Sequence, residues 1–464
     1  MPTNSDRRTF CYLLVLVALA LVSRANLLAA PVGDGQIATI DRIVAEGIDQ
    51  KKVASYAVAI VKDGALVLAR GYGMADLEND VPASAETVYR LGSITKQFTA
   101  LAIMQLAERG KLSVDDELTK FLPDYPTAGH KVTVHHLLNH TSGIKSYTSV
   151  KSFFKLIRQD LSHDELLALF KNEPFDFEPG TKWLYDNSGY YLLGMVIEKA
   201  SGQRYAEYLE EHAFRPLGMS ATRYGDMRPI IRHRAMGYKV SNGQLINDDF
   251  MSMDAPGAAG ALVSNVLDLI KWHQALETGN LLSSASFEAM YRPTKLADGS
   301  VRPYGYGWGL GEMNGHRKLS HGGGINGFST MIARYPADRL AVIVLSNTAG
   351  ANVGGVESRI AKLLFGVEDQ PVADLPADAE LVKRLVGKYQ IEGAAGKIEI
   401  TAEDGKFFAT PDGQEKGRLK YQGNGRFVSS KDPNIRIKFM PEEGQAQGLE
   451  VEMESQKLSA RRVD

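Results

Sequence analysis

The sequence predicts an α+β fold: one antiparallel sheet flanked by helices, a helical lobe, and a small C-terminal β barrel or sandwich. Three observations carry this. Strand-like apolar runs lie near both ends of a long segment, "YAVAIVKDGALVLARGYG" from Tyr56 and "FSTMIARYPADRLAVIVLSNT" from Phe328. Residues 111–300 between them are mostly helical and loop-rich. Beyond residue 378 the pattern changes to short alternating runs broken by turns, such as "GKIEITAEDGKFFATPDGQ", as in small all-β domains. The economical packing joins the two ends into one sheet and leaves the middle as a lobe, with a cleft at the seam.

Each element has a local reason. Asp63-Gly64 between two apolar runs is a hairpin signal, and Pro336-Ala337-Asp338 marks a second turn. From Ser93 to Gly110 the apolar residues Ile94, Phe98, Leu101, Ile103 and Leu106 recur at helical spacing, and Gly110 is a fitting stop. "GGVESRIAKLLFG" closes the segment as a helix. The acidic, proline-bearing stretch 367–378 reads as a linker. The expected boundaries are therefore 31–366 for the mixed domain and 379–464 for the β domain.

At 464 residues the chain accommodates two domains, and its 44% hydrophobic and 23% charged residues are those of a globular protein. A formal net charge of -2 gives no footprint for nucleic acid or a polybasic membrane surface. No repeat period suggests a solenoid. Residues 1–30 read as an export signal: Arg7 and Arg8, the apolar run Cys11 to Val22, then small residues. That run is shorter than the roughly 20 residues of a membrane-spanning helix, although a retained signal anchor is the alternative. "DRRTF" loosely resembles a twin-arginine signal. The only cysteine, Cys11, lies in this segment, so the mature chain is expected to have neither disulfide nor thiol nucleophile.

Three serine-x-x-lysine pairs occur: Ser93/Lys96, Ser142/Lys145 and Ser152/Lys155. Only Ser93 opens a long apolar helix, with Lys96 one turn along the same face and unpaired backbone N–H groups available for an oxyanion. A capping serine with an outward-reaching lysine explains the same spacing. "WLYDNSGYYLLG" places Tyr185-Asp186-Asn187 before another apolar helix. Asp and Asn are ordinary turn residues, but Tyr185 could relay protons if nearby ammonium groups lowered its pKa, and Asn187 could hold Lys96 and a substrate carbonyl. "HGGGING", His321 to Gly327, allows close backbone approach to a ligand, or is simply a glycine-rich entry to a strand. His136 and His140 have zinc-ligand spacing, but "HLLNH" lacks the metallopeptidase glutamate. A core or capping role is the other reading.

Taken in order, "SITK", "YDN" and "HGG" resemble the three active-site motifs of the serine β-lactamase and penicillin-binding-protein family, in its class-C-like branch. "HHLLNHTSGI", "FEPGTKWLYDNSGYYLLG", "AAGALVSNVLDLIKW" and "YGYGWGL" resemble it too, over roughly residues 35–365. The C-terminal part resembles the lipocalin-like β domain often appended to such hydrolases. The resemblance implies an acyl-enzyme mechanism with Ser93 as nucleophile, Lys96 and Tyr185 sharing proton transfers, and Asn187 and His321 completing the catalytic set. It implies an oxyanion hole from the backbone N–H groups of Ser93 and Gly324, with Gly322 and Gly323 against the substrate. It implies no metal or organic cofactor, small-molecule, peptide or ester substrates (peptidoglycan peptides among them), and a periplasmic or secreted location. The chain departs from class C β-lactamases in carrying His321 where they have a lysine. A mostly neutral histidine favours an esterase or D-amino-acid peptide hydrolase over an efficient β-lactamase. A D-alanyl-D-alanine carboxypeptidase, a β-lactamase proper and a sensor that traps its ligand without turnover are the alternatives.

Overall fold

The computed structural model describes residues 32–50, 52–367, 372–392, 396–412, 416–430, 435–441, 444–453 and 456–464. The chain divides into two compact units, Met1–Thr39 and Ile40–Asp464. The described part of the first opens the helix Asp34–Asp49. The segment read as an export signal, and Cys11 with it, lies outside the described residues. Among the described residues no helix is long and apolar enough to cross a membrane.

The second unit contains a seven-stranded antiparallel sheet built from both ends of its sequence segment. Its strands are β1 (Ser55–Lys62), β2 (Ala65–Asp76), β3 (Val81–Pro82), β4 (Gly309–Met313), β5 (His316–Ile325), β6 (Phe328–Tyr335) and β7 (Leu340–Ser346), in the order β4-β5-β6-β7-β1-β2-β3. Asp63 and Gly64 have φ of 53° and 78°, the left-handed pair that a two-residue hairpin turn requires. β7 is buried throughout and β1 almost so, because both faces of these central strands are covered. Ala57, Ala59 and Val61 join the main core with Leu269 and Trp272, while the alternate residues Val58, Ile60, Val342 and Val344 are fully buried as well.

Helix α1 (Thr95–Glu108) follows a 3-10 turn at Gly92–Ile94. Phe98, Leu101 and Ile103 are wholly buried, each stabilising the fold by about 1.5–3 kcal/mol. Around α1 pack α2 (Val134–Leu138) and α3 (Asn187–Ser201) of the lobe and α4 (Val266–Thr278), which also packs on β1 and β7. Helix α5 (Val353–Phe365) packs on β6 and β7. Within the lobe, Tyr89–Arg90, Leu262–Ser264 and Arg223–Tyr224 form a small three-stranded sheet that sequence reading did not anticipate. Its strands are only two or three residues long, too short to show a period of two.

Residues 387–462 contain a closed barrel of eight strands, the first (Gly387–Ile391) pairing with the last (Gln456–Arg462). Tyr389, Phe407, Phe427 and Phe439 fill its interior. A short helix, Ala379–Leu385, adds Leu381 and Leu385 to the same core. The described part of the linker hydrogen-bonds the barrel, Leu375 N donating to Tyr421 O at 2.9 Å.

Candidate active site

The structure brings Ser93, Lys96, Tyr185, Asn187 and His321 together at the seam between sheet and lobe. Lys96 is fully buried, and its Nζ contacts three oxygens: Ser93 Oγ at 3.1 Å, Asn187 Oδ1 at 2.8 Å and the Ala259 carbonyl at 2.9 Å. Its Nζ also lies 4.8 Å from the Tyr185 ring centroid. The helix-capping alternative fails on two counts. Ile94, not Ser93, occupies the N-cap of α1 without a side-chain cap, and Lys96 points inward.

Burial pushes the Lys96 ammonium down to about 7, against the opposing charge of Asp186. A neutral amine has two N–H groups and one lone pair. Asn187 Oδ1 and the Ala259 carbonyl can only accept, so they take the two N–H groups, and the lone pair is left for the Ser93 hydroxyl. That is the geometry of a base facing an alcohol.

Tyr185 corrects an expectation. Burial raises its phenol well above the ordinary value, and the Ser93 hydrogen bond lowers it only in part. The neighbouring amine does not make it acidic, because that amine is itself partly uncharged. Tyr185 is therefore a neutral phenol beside Ser93.

Asn187 is held by Asp186, the N-cap of α3, whose carboxyl accepts from Ser188 N at 2.7 Å and Gly189 N at 2.9 Å. Burial pushes the Asp186 carboxyl up while these amides pull it down. Asn187 N donates to Ser146 Oγ at 3.2 Å and Asn187 Nδ2 to Thr148 Oγ1 at 3.2 Å. The other serine-lysine pairs build no such site: Ser142 donates to Asp186, Lys145 pairs with Asp176 at 2.6 Å, and Ser152 and Lys155 are exposed at the start and on the surface of the short helix Phe153–Leu156.

Gly324 on β5 closely approaches Gly92 of the 3-10 turn before α1. Gly92 has φ of 54°, and a Cβ there would lie 3.0 Å from Gly324 N. The Gly324 amide thus sits beside the Gly92–Ser93 segment. β4 pairs with β5 only as far as Ser320, so the outer edge of His321–Ile325 carries no strand and borders the cleft. A Cβ on Gly324 would meet nothing within 4 Å. Gly323 differs from its expected role: a Cβ there would fall 2.0 Å from the Leu91 carbonyl oxygen and 2.2 Å from Thr330 Oγ1. Its missing side chain is a packing requirement. Gly322 has only ordinary contacts.

Among the described residues, buried His321 has no carboxylate partner. Burial, then the nearby Lys96, push it down to about 4, so it is neutral at pH 7. A hydrogen-bond chain fixes its tautomer. Asp186 N donates to His140 Nδ1 at 3.1 Å, so His140 carries its proton on Nε2, 3.2 Å from Tyr304 Oη. The Tyr304 hydroxyl then donates to His321 Nε2 at 2.8 Å, and His321 Nδ1 donates to the Gly322 carbonyl at 2.6 Å. Sequence reading did not assign His140 and Tyr304 to this site. Their only signals were the zinc-like spacing with His136 and the "YGYGWGL" run. His136 instead closes the capping box of α2 with Thr133.

A hydroxyl held against a buried amine, at the open edge of a strand, is the apparatus of a serine hydrolase. The Beta-lactamase family model matches residues 40–366, and the chain belongs to that family and is a serine hydrolase of it. Penicillin-binding protein 4* of Bacillus subtilis is 31% identical over 413 residues, spanning 82% of this chain and 89% of that one. The octameric penicillin-binding protein homologue from Pyrococcus abyssi superposes with a TM-score of 0.65 at 27% identity, over 91% of this chain and 99% of that one. A D-stereospecific amidohydrolase from Streptomyces gives a TM-score of 0.62 at 25% identity, over 71% and 99%.

Proposed function

We propose that the protein is an exported hydrolase that cleaves esters or amides, short acyl esters or D-amino-acid peptides, through an acyl-enzyme on Ser93. The observation that carries this is the buried Lys96 amine, whose contacts leave its lone pair for Ser93 Oγ. Lys96 takes the proton as Ser93 attacks the carbonyl. The backbone N–H groups of Ser93 and Gly324 receive the oxyanion, and such a donor is typically worth about 2.7–4 kcal/mol. The neutral phenol of Tyr185 gives its proton to the departing amine or alkoxide and takes the proton held by Lys96 in its place, which returns both groups to their starting state. Water then repeats the sequence on the acyl group. Asn187 holds both Lys96 and the substrate carbonyl side of the cleft.

Neutral, buried His321 supplies no fixed positive charge for a carboxylate on the leaving side, which favours esters and amides without such a carboxylate over β-lactams. The name of the Streptomyces amidohydrolase supports the D-stereospecific part of this reading. Export rests on the N-terminal pattern and on the kinship with penicillin-binding proteins. Ser93→Ala is expected to abolish turnover of a nitrophenyl ester and of a D-Ala-D-Ala peptide, while melting as the parent does. Retained turnover sinks the assignment, and nitrocefin hydrolysis as fast as the ester's overturns the substrate ranking.

A further inference from the structure

Two arginines meet at one end of the cleft without a counterion. Arg90 lies three residues before Ser93, with Nη2 3.8 Å from Met227 Sδ, and Arg234 Nη1 lies 3.4 Å from the same sulfur. Arg234 otherwise donates to the backbone carbonyls of Gly225 at 3.3 Å and Asp226 at 3.1 Å. Among the described residues neither guanidinium forms an ion pair. The carboxylates nearby are engaged elsewhere: Asp248 takes Gly327 N at 2.6 Å and Lys239 Nζ at 3.1 Å, and Asp226 takes Arg228 N at 2.9 Å. Burial and the charge of Arg234 push Arg90 down to about 10, against a smaller upward pull from Asp248, as expected for two like charges sharing a partly dry space. A thioether neutralises neither, and Met227 is itself exposed.

The position of the pair says what should fill it. The open edge of β5 runs from His321 to Ile325. At its first end the Tyr185 and His321 rings lie 6.2 Å apart, so the proton-handling groups gather there. At its far end Ile325 pairs with Phe328, and Arg90 lies 5.8 Å from the Phe328 ring centroid. A leaving group must depart beside the proton donor. The acyl portion that stays on Ser93 therefore extends the other way, past Gly324 towards the arginines.

We propose that Arg90 and Arg234 form a subsite for a carboxylate carried on the acyl portion of the substrate. This rests on the Ser93 acyl-enzyme reading above. Forked guanidinium groups suit a carboxylate in two-point contact, and an anion there would relieve the repulsion between them.

The test compares nitrophenyl esters of matched chain length, one series ending in a methyl group and the other in a carboxylate, from four to six carbons. The readout is the ratio of kcat/KM for the anionic over the neutral ester, in which any general loss of rate cancels. The full-length parent should favour the anionic ester at one of these lengths. Arg90→Gln and Arg234→Gln should each lower that ratio about tenfold, with Arg90→Lys lowering it less. Rising salt should lower the parent's ratio as well. No anionic preference in the parent at any length overturns the proposal, and this needs no variant to fold. An unchanged ratio in the double glutamine variant overturns it too. Ser93→Ala, assayed on both esters, tests the underlying reading separately: turnover there would refute the acyl-enzyme, whatever the arginine ratios show.

Discussion

Two lysines are buried within the same fold and do opposite things. Lys318 on β5 is 2% exposed and pairs with Glu357 of α5 at 2.6 Å, while Tyr335 donates to the other Glu357 oxygen at 2.8 Å. Lys96 is equally buried, but every oxygen on its Nζ is uncharged. The nearest negative charge, Asp186, spends its oxygens on helix amides and on Ser142. A buried lysine given a carboxylate is a tie between elements. One given only neutral acceptors yields its proton and becomes a base.

The comparison breaks most visibly at Lys96. Lys96→Met should cut kcat/KM by a factor of about 10²–10⁴, the usual size of a general-base contribution, with folding intact by circular dichroism. Supplying a carboxylate near Nζ would be the converse experiment. In the parent, the base works only when deprotonated, so kcat/KM should fall as pH drops through about 7, the value to which burial lowers Lys96. His321, lowered to about 4, is neutral throughout that range. A profile flat from pH 5 to 8 would contradict the assignment.

At the other lysine the loss should appear in stability. Glu357→Gln removes the carboxylate that meets this buried ammonium at 2.6 Å and should cost about 3–5 kcal/mol by urea unfolding. The acid limb near pH 7 should remain in whatever fraction folds. A variant as stable as the parent would show that the pair does not tie β5 to α5. A smaller effect separates two glycines of one motif. Gly323→Ala meets backbone 2.0 Å away and should cost about 1–3 kcal/mol. Gly324→Ala points into open space, so it should melt close to the parent but impair turnover by narrowing the cleft. Equal melting of the two would refute the packing account of Gly323.

Much of this was legible in the sequence, for a physical reason. The hairpin at Asp63-Gly64, the central strands and α1 are local patterns, set by turn conformation and by the period of apolar residues. Ser93, Lys96, Tyr185, Asn187 and His321 were legible as three short motifs in a fixed order. What escaped depends on contacts between distant residues. Tyr304 meets His140 across 164 positions, which no local pattern encodes. The direction of the Tyr185 shift escaped for a related reason. It required knowing that desolvation outweighs a neighbouring amine, and burial of a loop tyrosine is fixed only by the assembled lobe. Helix Ala379–Leu385 was folded into the β domain because, at seven residues, it is too short for its period to stand out.

The chain from Asp186 N through His140, Tyr304 and His321 to the Gly322 carbonyl has one further consequence. Every hydrogen in it points the same way, from the N-cap amide of α3 at one end to a strand carbonyl at the other. Adding a proton to either ring would set donor against donor and force its neighbours to turn together. This wall of the cleft therefore behaves as a polarised brace rather than as a titrating switch. Its two histidines lend the site a shape and an oriented dipole, and on the proposed mechanism they leave the movement of protons to the amine and the phenol opposite.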